Sequence, residues 1–302
     1  MRLAKQPGIF ALLIILCAAQ SAFAAPYFQE VVSPFGQQPC QNAGCWTNYL
    51  RVTDIDGDKN LDVLIPNATG FFSKGAQAQP LLVYKGDGTG KFTDISAASV
   101  GGYSNWIRQV AVGDVDADGD SDMYVPTAWG DPDKFFINDG TGKFTDEAAA
   151  RLPNVQSHAG AARFFDADND GDLDLLVSDG WAQSSTFVAH LYINDGTGKF
   201  TDKSDQLPKT KKGIGPCDFD LLDADNDFDL DLLINMHEDT SSLWLNDGAG
   251  NFSDAPFPMQ SGSAIKYGPV ACDVDGDHDL DLWFDYAGPN FTEQLLINDG
   301  TG

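Results

Sequence analysis

An aspartate-rich run recurs five times along this chain, and that periodicity limits the fold more than any other feature. The runs are "DIDGDKNLDVLI" from Asp54, "DVDADGDSDMYV" from Asp114, "DADNDGDLDLLV" from Asp166, "DADNDFDLDLLI" from Asp223 and "DVDGDHDLDLWF" from Asp273. Their starts lie 60, 52, 57 and 50 residues apart. A second motif follows each: "VYKGDGTGKFTDIS", "FINDGTGKFTDEA", "YINDGTGKFTDKS", "WLNDGAGNFSDAP" and "LINDGTG". Each unit reads as four short strands. In the second unit these are "RQVAVGD" (108–114), "DMYVPTA" (122–128), "KFFIN" (134–138) and "KFTD" (143–146). The Asp-Gly pair of "DGTG" favours the primed turns that join the last two strands. Four-stranded units at this period predict an all-β chain of β-propeller blades, each burying its faces against its neighbours. A stacked β-solenoid is the weaker alternative, because its repeats are usually shorter and lack a hairpin in each unit.

The acidic runs need a chemical explanation. Two carboxylates about 4 Å apart repel by on the order of 4 kcal/mol at an effective dielectric near 20. A hard cation offsets that repulsion, and Ca²⁺ takes roughly six to eight oxygens from carboxylates, carbonyls and water. Side chains at loop positions 1, 3, 5 and 9, with the carbonyl of position 7, supply such a set. The candidate ligands are Asp54, Asp56, Asp58, Asn60 and Asp62; Asp114, Asp116, Asp118, Asp120 and Asp122; and Asp166, Asp168, Asp170, Asp172 and Asp174. The last two loops offer Asp223, Asp225, Asp227, Asp229 and Asp231, then Asp273, Asp275, Asp277, Asp279 and Asp281. Up to five Ca²⁺ are expected, one per repeat. No Cys or His recurs at loop positions, which argues against zinc and soft metals. Related calcium loops turn on a glycine at position 6. Gly119 and Gly171 provide it, whereas Lys59, Phe228 and His278 stand there in the other loops. Gly57 and Gly276 at position 4 relieve the first and fifth. The fourth loop has neither glycine and is expected to be the weakest site.

The alternation of "DxDxDGDxD" loops with "NDGTGKFTD" hairpins resembles the FG-GAP/VCBS repeats of the integrin-alpha-like β-propeller family. "IGPC" (214–217) and "YGPV" (267–270) are the nearest traces of its signature. The resemblance implies that Ca²⁺ binds between the first and second strands of each blade. It also implies a propeller that usually has seven blades. The sequence stops inside the fifth hairpin, before the expected "KFTD". That favours a fragment of a longer propeller over five closed blades, with "PYFQEVV" (26–32) able to complete a last blade as an N-terminal strand.

The first 24 residues read as a signal peptide. They carry Arg2 and Lys5, an apolar stretch and small residues Ala22 and Ala24. The propeller is assigned to 25–302, and the mature chain is expected outside the cytoplasm, secreted or periplasmic. Removing Arg2 and Lys5 takes the formal charge from −27 to −29, which disfavours nucleic acid and anionic lipid as partners. No later stretch is apolar enough for membrane insertion. Cys40, Cys45, Cys217 and Cys272 remain, compatible with two disulfides in an exported chain. A short loop favours Cys40–Cys45, leaving Cys217–Cys272.

Nothing in the sequence assembles a catalytic set: His158, His190, His237 and His278 fall at non-equivalent places. Binding is the expected role, as an adhesion module for extracellular protein or cell-surface ligands. Trp129 and Trp181 share one repeat position, and Trp46 and Trp106 share another. Such aromatics stack on sugars or anchor a protein partner, although packing between blades explains them equally well. A glycan-binding propeller is the alternative, and a polysaccharide-degrading enzyme a more distant one.

Overall fold

The computed structural model describes residues 45–47, 49–69, 74, 77–129, 131–154, 159–179, 188–209, 216–236, 241–258, 265–266, 270–284, 286–287 and 293–300. The signal peptide, "PYFQEVV", Cys40, His158, Trp181 and His237 lie outside them.

Five antiparallel sheets follow the five repeats. The first joins Arg51–Thr53, Asp62–Ile65, Leu82–Gly86 and Phe92–Asp94 in that order. The second joins Ala111–Gly113, Asp122–Val125, Lys134–Asn138 and Phe144–Asp146. The third joins Ala161–Phe165, Asp174–Asp179, Val188–Asn194 and Phe200–Asp202. The fourth joins Pro216–Leu222, Asp231–Met236, Ser242–Asn246 and Phe252–Ala255. Among the described residues the fifth has three strands, Val270–Cys272, Asp281–Phe284 and Gln294–Leu296. The first four are the up-and-down, four-stranded blades of a β-propeller, and in all five the strand order equals the chain order.

One register repeats throughout. The aspartate at position 9 opens the second strand of every blade. It pairs with the last residue of the first strand, as in Thr53↔Asp62, Gly113↔Asp122, Phe165↔Asp174, Leu222↔Asp231 and Cys272↔Asp281. Each acidic loop is therefore the connection between strands one and two.

In the first four blades the central strands are apolar without alternation because both faces are covered. In the second blade, Met123 and Val125 pack with Leu64 and Val83 of the first. Tyr124 between them points the other way, against Leu175, Val177 and Tyr192 of the third. The third and fourth blades meet through Leu176, Leu191, Leu232 and Trp244, and the fourth and fifth through Leu233, Leu243, Leu282 and Phe284. Among the described residues, each of the four apolar clusters thus spans two adjacent blades.

The cysteines depart from expectation. Cys272 carries a free, exposed thiol, so the Cys217–Cys272 pairing does not form. Both lie on first strands of adjacent blades, but Cys217 precedes its first loop aspartate by six residues and Cys272 by one. That offset of five residues amounts to about 16 Å along the strand, far beyond the roughly 7 Å limit between bridged Cα atoms. Cys45 lies in a two-stranded ribbon with Asn67–Thr69, and its expected partner, Cys40, is among the residues outside the description.

Candidate metal centres

Most loop aspartates hold the backbone. At position 1, Oδ2 accepts the amide of position 6: Lys59 N to Asp54 at 2.8 Å, Gly119 N to Asp114 at 3.1 Å, Gly171 N to Asp166 at 3.0 Å, Phe228 N to Asp223 at 3.1 Å and His278 N to Asp273 at 3.2 Å. At position 5, Oδ1 accepts the amide of position 7, as in Asp172 N to Asp170 at 2.9 Å. The aspartate at position 9 is buried in every loop, and both its oxygens are engaged. Asp174 Oδ2 accepts Ala167 N and its Oδ1 accepts Asn194 N, each at 2.8 Å. This carboxylate ties the start of the loop to the third strand.

The loops share one backbone path. Positions 4 and 6 adopt positive φ in all five: Gly57 and Lys59, Ala117 and Gly119, Asn169 and Gly171, Asn226 and Phe228, Gly276 and His278. Glycine at position 6 is therefore not needed for the shape. Phe228 holds φ 74° with its side chain 91% exposed. For a residue with a Cβ that conformation costs about 1–2 kcal/mol. The fourth loop, expected to be the weakest, follows the same path at that cost.

These folds bring three carboxylates together. Oxygens of positions 1, 3 and 9 lie within 4.8 Å of one another in the second to fifth loops: Asp114, Asp116 and Asp122; Asp166, Asp168 and Asp174; Asp223, Asp225 and Asp231; Asp273, Asp275 and Asp281. In the first loop the cluster is Asp54, Asp56 and Asp58, without Asp62. Position 7 turns its side chain away, toward the hairpin of its own blade. A Cβ on Gly88, Gly140, Gly196, Gly248 or Gly300 would run into Asn60, Asp120, Asp172, Asp229 or Asp279. That leaves the position 7 carbonyl, and not the side chain, as the donor to the loop interior.

Whether a cation suits these loops turns on which oxygens lack a donor. Asp114 Oδ1 and Asp116 Oδ1, Asp166 Oδ1 and Asp168 Oδ1, and Asp223 Oδ1 and Asp225 Oδ1 are buried with no hydrogen-bond partner. Buried carboxylate oxygens without partners are costly, and positions 1 and 3 supply a pair of them in three consecutive loops. The donor set, all oxygen and strongly anionic, suits a hard divalent cation. The second loop also receives Arg151, whose Nη2 lies 3.0 Å from Asp116 Oδ2, yet the Oδ1 atoms there remain without donors.

Burial shapes the electrostatics. It pushes the carboxyls of Asp122 and Asp174 up to about 7 and that of Asp231 to about 6, against the pull of their amide donors. Asp120 rises to about 6, by burial and then by Asp118, Asp116 and Asp114. Asp168 and Asp225 are raised by burial and neighbouring carboxylates. The loops hold more negative charge than they stabilise by themselves.

The first loop is arranged differently. Lys85 Nζ binds Asp56 Oδ2 and lies 2.9 Å from Asp58 Oδ2. Hydrogen bonding to Asp56 and Asp58 raises the Lys85 ammonium above its ordinary value, and Lys85 lowers Asp58. The corresponding residues of later blades are Ile137, Ile193, Leu245 and Ile297.

Adjacent loops are also joined. The asparagine of each "NDG" hairpin donates its side-chain amide to the position 2 carbonyl one blade earlier. The bonds are Asn138 to Ile55 at 2.8 Å, Asn194 to Val115 at 2.7 Å, Asn246 to Ala167 at 2.8 Å and Asn298 to Ala224 at 2.8 Å. Asn169 at position 4 additionally binds Asp229 of the next blade. Sequence reasoning assigned "NDG" to the turn alone and passed over Lys85. The visible signal for both was the change from "IND" or "LND" to "KGD" in the first repeat.

The tryptophans are less open than expected. Trp129 is buried. Trp106 is partly covered by Lys74, whose Nζ sits 4.1 Å from the ring centroid and 3.4 Å from the Trp129 carbonyl. Trp46 lies on the ribbon strand Cys45–Thr47. His190 stacks on Tyr192, with ring centroids 6.1 Å apart.

A family model described as FG-GAP-like repeat matches residues 54–125, 128–177 and 223–284. No curated protein matches the sequence. Among solved structures the chain is similar to rhamnogalacturonan lyase YesW, at 15% identity and TM-score 0.49, over 85% of this chain and 52% of that one. It is similar to the exotype rhamnogalacturonan lyase YesX at 16% identity and TM-score 0.49, over 85% and 48%. A Bacillus licheniformis rhamnogalacturonan lyase matches at 14% identity and TM-score 0.48, over 85% and 51%. The chain spans about half the length of these structures.

Proposed function

The chain belongs to the FG-GAP-like repeat family, and on that footing we propose that it is a calcium-stabilised, extracellular binding propeller for protein or cell-surface ligands. The observation that carries the calcium reading is the set of partnerless, buried oxygens at positions 1 and 3 of the second, third and fourth loops. In the third loop the ion would be held by Asp166, Asp168, Asp170 and Asp174 with the Asp172 carbonyl. When bound, it supplies positive charge that neutralises the cluster.

The chain's own residues translate that charge into rigidity. Asp174 links the loop to the third strand, and Asn194 links the third blade to the second loop. A loop relieved of repulsion therefore steadies both its own blade and the next. Low-affinity calcium modules suit compartments outside the cytosol, in keeping with the signal-like segment 1–24. Since the loop aspartates at positions 1, 5 and 9 are committed to backbone amides, a binding role suits the propeller better than acid–base chemistry. The experiment is calcium titration by calorimetry together with thermal melts in calcium and in chelator. Binding with a higher melting temperature in calcium is expected; an unchanged melt and no heat of binding would refute the reading. Binding of the calcium-loaded chain to arrays of extracellular proteins and glycans then tests the ligand class.

A further inference from the structure

We propose that the first acidic loop carries its own cation, the Lys85 ammonium, and takes no calcium, in contrast to the second, third and fourth loops. The inference rests on the calcium reading for those loops and on three observations about the first.

All six carboxylate oxygens of Asp54, Asp56 and Asp58 have a protein donor. Asp54 Oδ1 accepts Gly57 N at 2.9 Å and Oδ2 accepts Lys59 N at 2.8 Å. Asp56 Oδ1 accepts Asp58 N at 3.4 Å, and Asp58 Oδ1 accepts Asn60 N at 2.8 Å. The two remaining oxygens, Asp56 Oδ2 and Asp58 Oδ2, are those that Lys85 Nζ bridges. No oxygen of this kind is left without a donor, whereas the next three loops each leave two at positions 1 and 3.

The cluster is also differently composed. Position 5 replaces position 9 in the group of converging oxygens, because the ammonium draws Asp56 and Asp58 together. Asp62 keeps its structural bonds to Ile55 N and Gly86 N, at 2.9 and 2.8 Å.

Finally, the lysine replaces an apolar residue. Ile137, Ile193, Leu245 and Ile297 stand at its position in the other blades, and none of them brings a charge to its loop. Arg151 approaches the second loop from a helix, where its Nε is held by Glu147 at 2.7 Å, and among the loop carboxylates it is paired with Asp116. An ammonium fixed between positions 3 and 5 both repels a divalent ion and occupies the oxygens the ion needs.

The test compares wild type, Lys85→Met, Lys85→Arg and Ile193→Lys by calcium stoichiometry and by melts in chelator. Lys85→Met is expected to bind one more calcium per chain than wild type, and Ile193→Lys one fewer. Equal stoichiometry in Lys85→Met and a calcium-binding wild type would overturn the inference. If wild type binds no calcium, the reading of the other loops fails separately, and the metal-free melts decide. A lower, salt-sensitive melting temperature for Lys85→Met, with Lys85→Arg near wild type, supports an internal counterion. Equal metal-free melts for Lys85→Met and wild type would overturn it.

Discussion

Asn246 donates its side-chain amide to the carbonyl of Ala167, 2.8 Å away, seventy-nine residues earlier and one blade back. The same amide reaches the Leu230 carbonyl of its own loop at 3.3 Å. One side chain thereby serves two acidic loops, and its counterparts at Asn138, Asn194 and Asn298 repeat the link to the preceding blade.

Asn246→Ala leaves the Ala167 carbonyl without that donor in a buried setting. An orphaned buried polar group costs about 1–3 kcal/mol. Denaturant unfolding is expected to show a loss of that size, in chelator as well as in calcium. A loss confined to calcium would mean that the bond matters only through the metal.

Positions 3 and 9 are expected to separate under the same chemical change. Asp168→Asn removes a repelled carboxylate whose Oδ1 has no donor, so it should lower calcium stoichiometry by one while leaving the metal-free melt unchanged or slightly higher. Asp174→Asn turns an amide group toward two backbone N–H donors. It should destabilise the metal-free protein by about 1–3 kcal/mol. Paired melts in chelator check both, and equal effects would remove the distinction between the positions.

Stability should depend on pH with opposite sense in the presence and absence of calcium. The folded carboxyls of Asp122 and Asp174 titrate near 7 and that of Asp231 near 6, above the ordinary 3.8. Between those limits the metal-free fold binds more protons than the unfolded chain, so its stability falls as pH rises through that window. Calcium requires the ionised form, so its stabilising increment grows over the same window. Melts at pH 5 and pH 8 are expected to show a lower chelated melting temperature at pH 8 and a wider calcium-induced gap there. A calcium-induced gap that narrows toward pH 8 would contradict this linkage.

Phe228→Gly should stabilise the fourth loop. It relieves the positive φ of an exposed residue, set against the extra freedom glycine has when unfolded. The net gain expected is about 0.5–1 kcal/mol, read from the denaturant midpoint. Phe228→Val, branched at Cβ, should move the midpoint the other way.

Much of the fold was legible because its determinants are local. "KFFIN" folds as the strand Lys134–Asn138, and the apolar exits after Asp122, Asp174 and Asp231 become central strands buried on both faces. Apolar runs, Asp-Gly turns and a fixed repeat are properties of neighbouring residues. Spacing alone grouped positions 1, 3, 5 and 9 of each acidic run; in the structure 1, 3 and 9 converge in the second to fifth loops, and 1, 3 and 5 in the first. Spacing did not reveal the path of the fourth loop, where Asn226 and Phe228 take the left-handed conformation that glycine was expected to supply.

The sequence by itself therefore determined the blade, its acidic loop and its chemistry, because residues within a loop and its flanking strands lie too close along the chain to do otherwise. The tertiary structure decided which oxygens have donors. Asp56 and Asp58 meet Lys85 from the third strand, the carbonyl of Ala167 meets Asn246 from the next blade, and Cys217 and Cys272 are set apart by their places on neighbouring strands. The first of these relationships arises when strands pair within a blade, and the other two only when blades stack, since stacking joins residues distant in the chain and separates others that composition alone would pair.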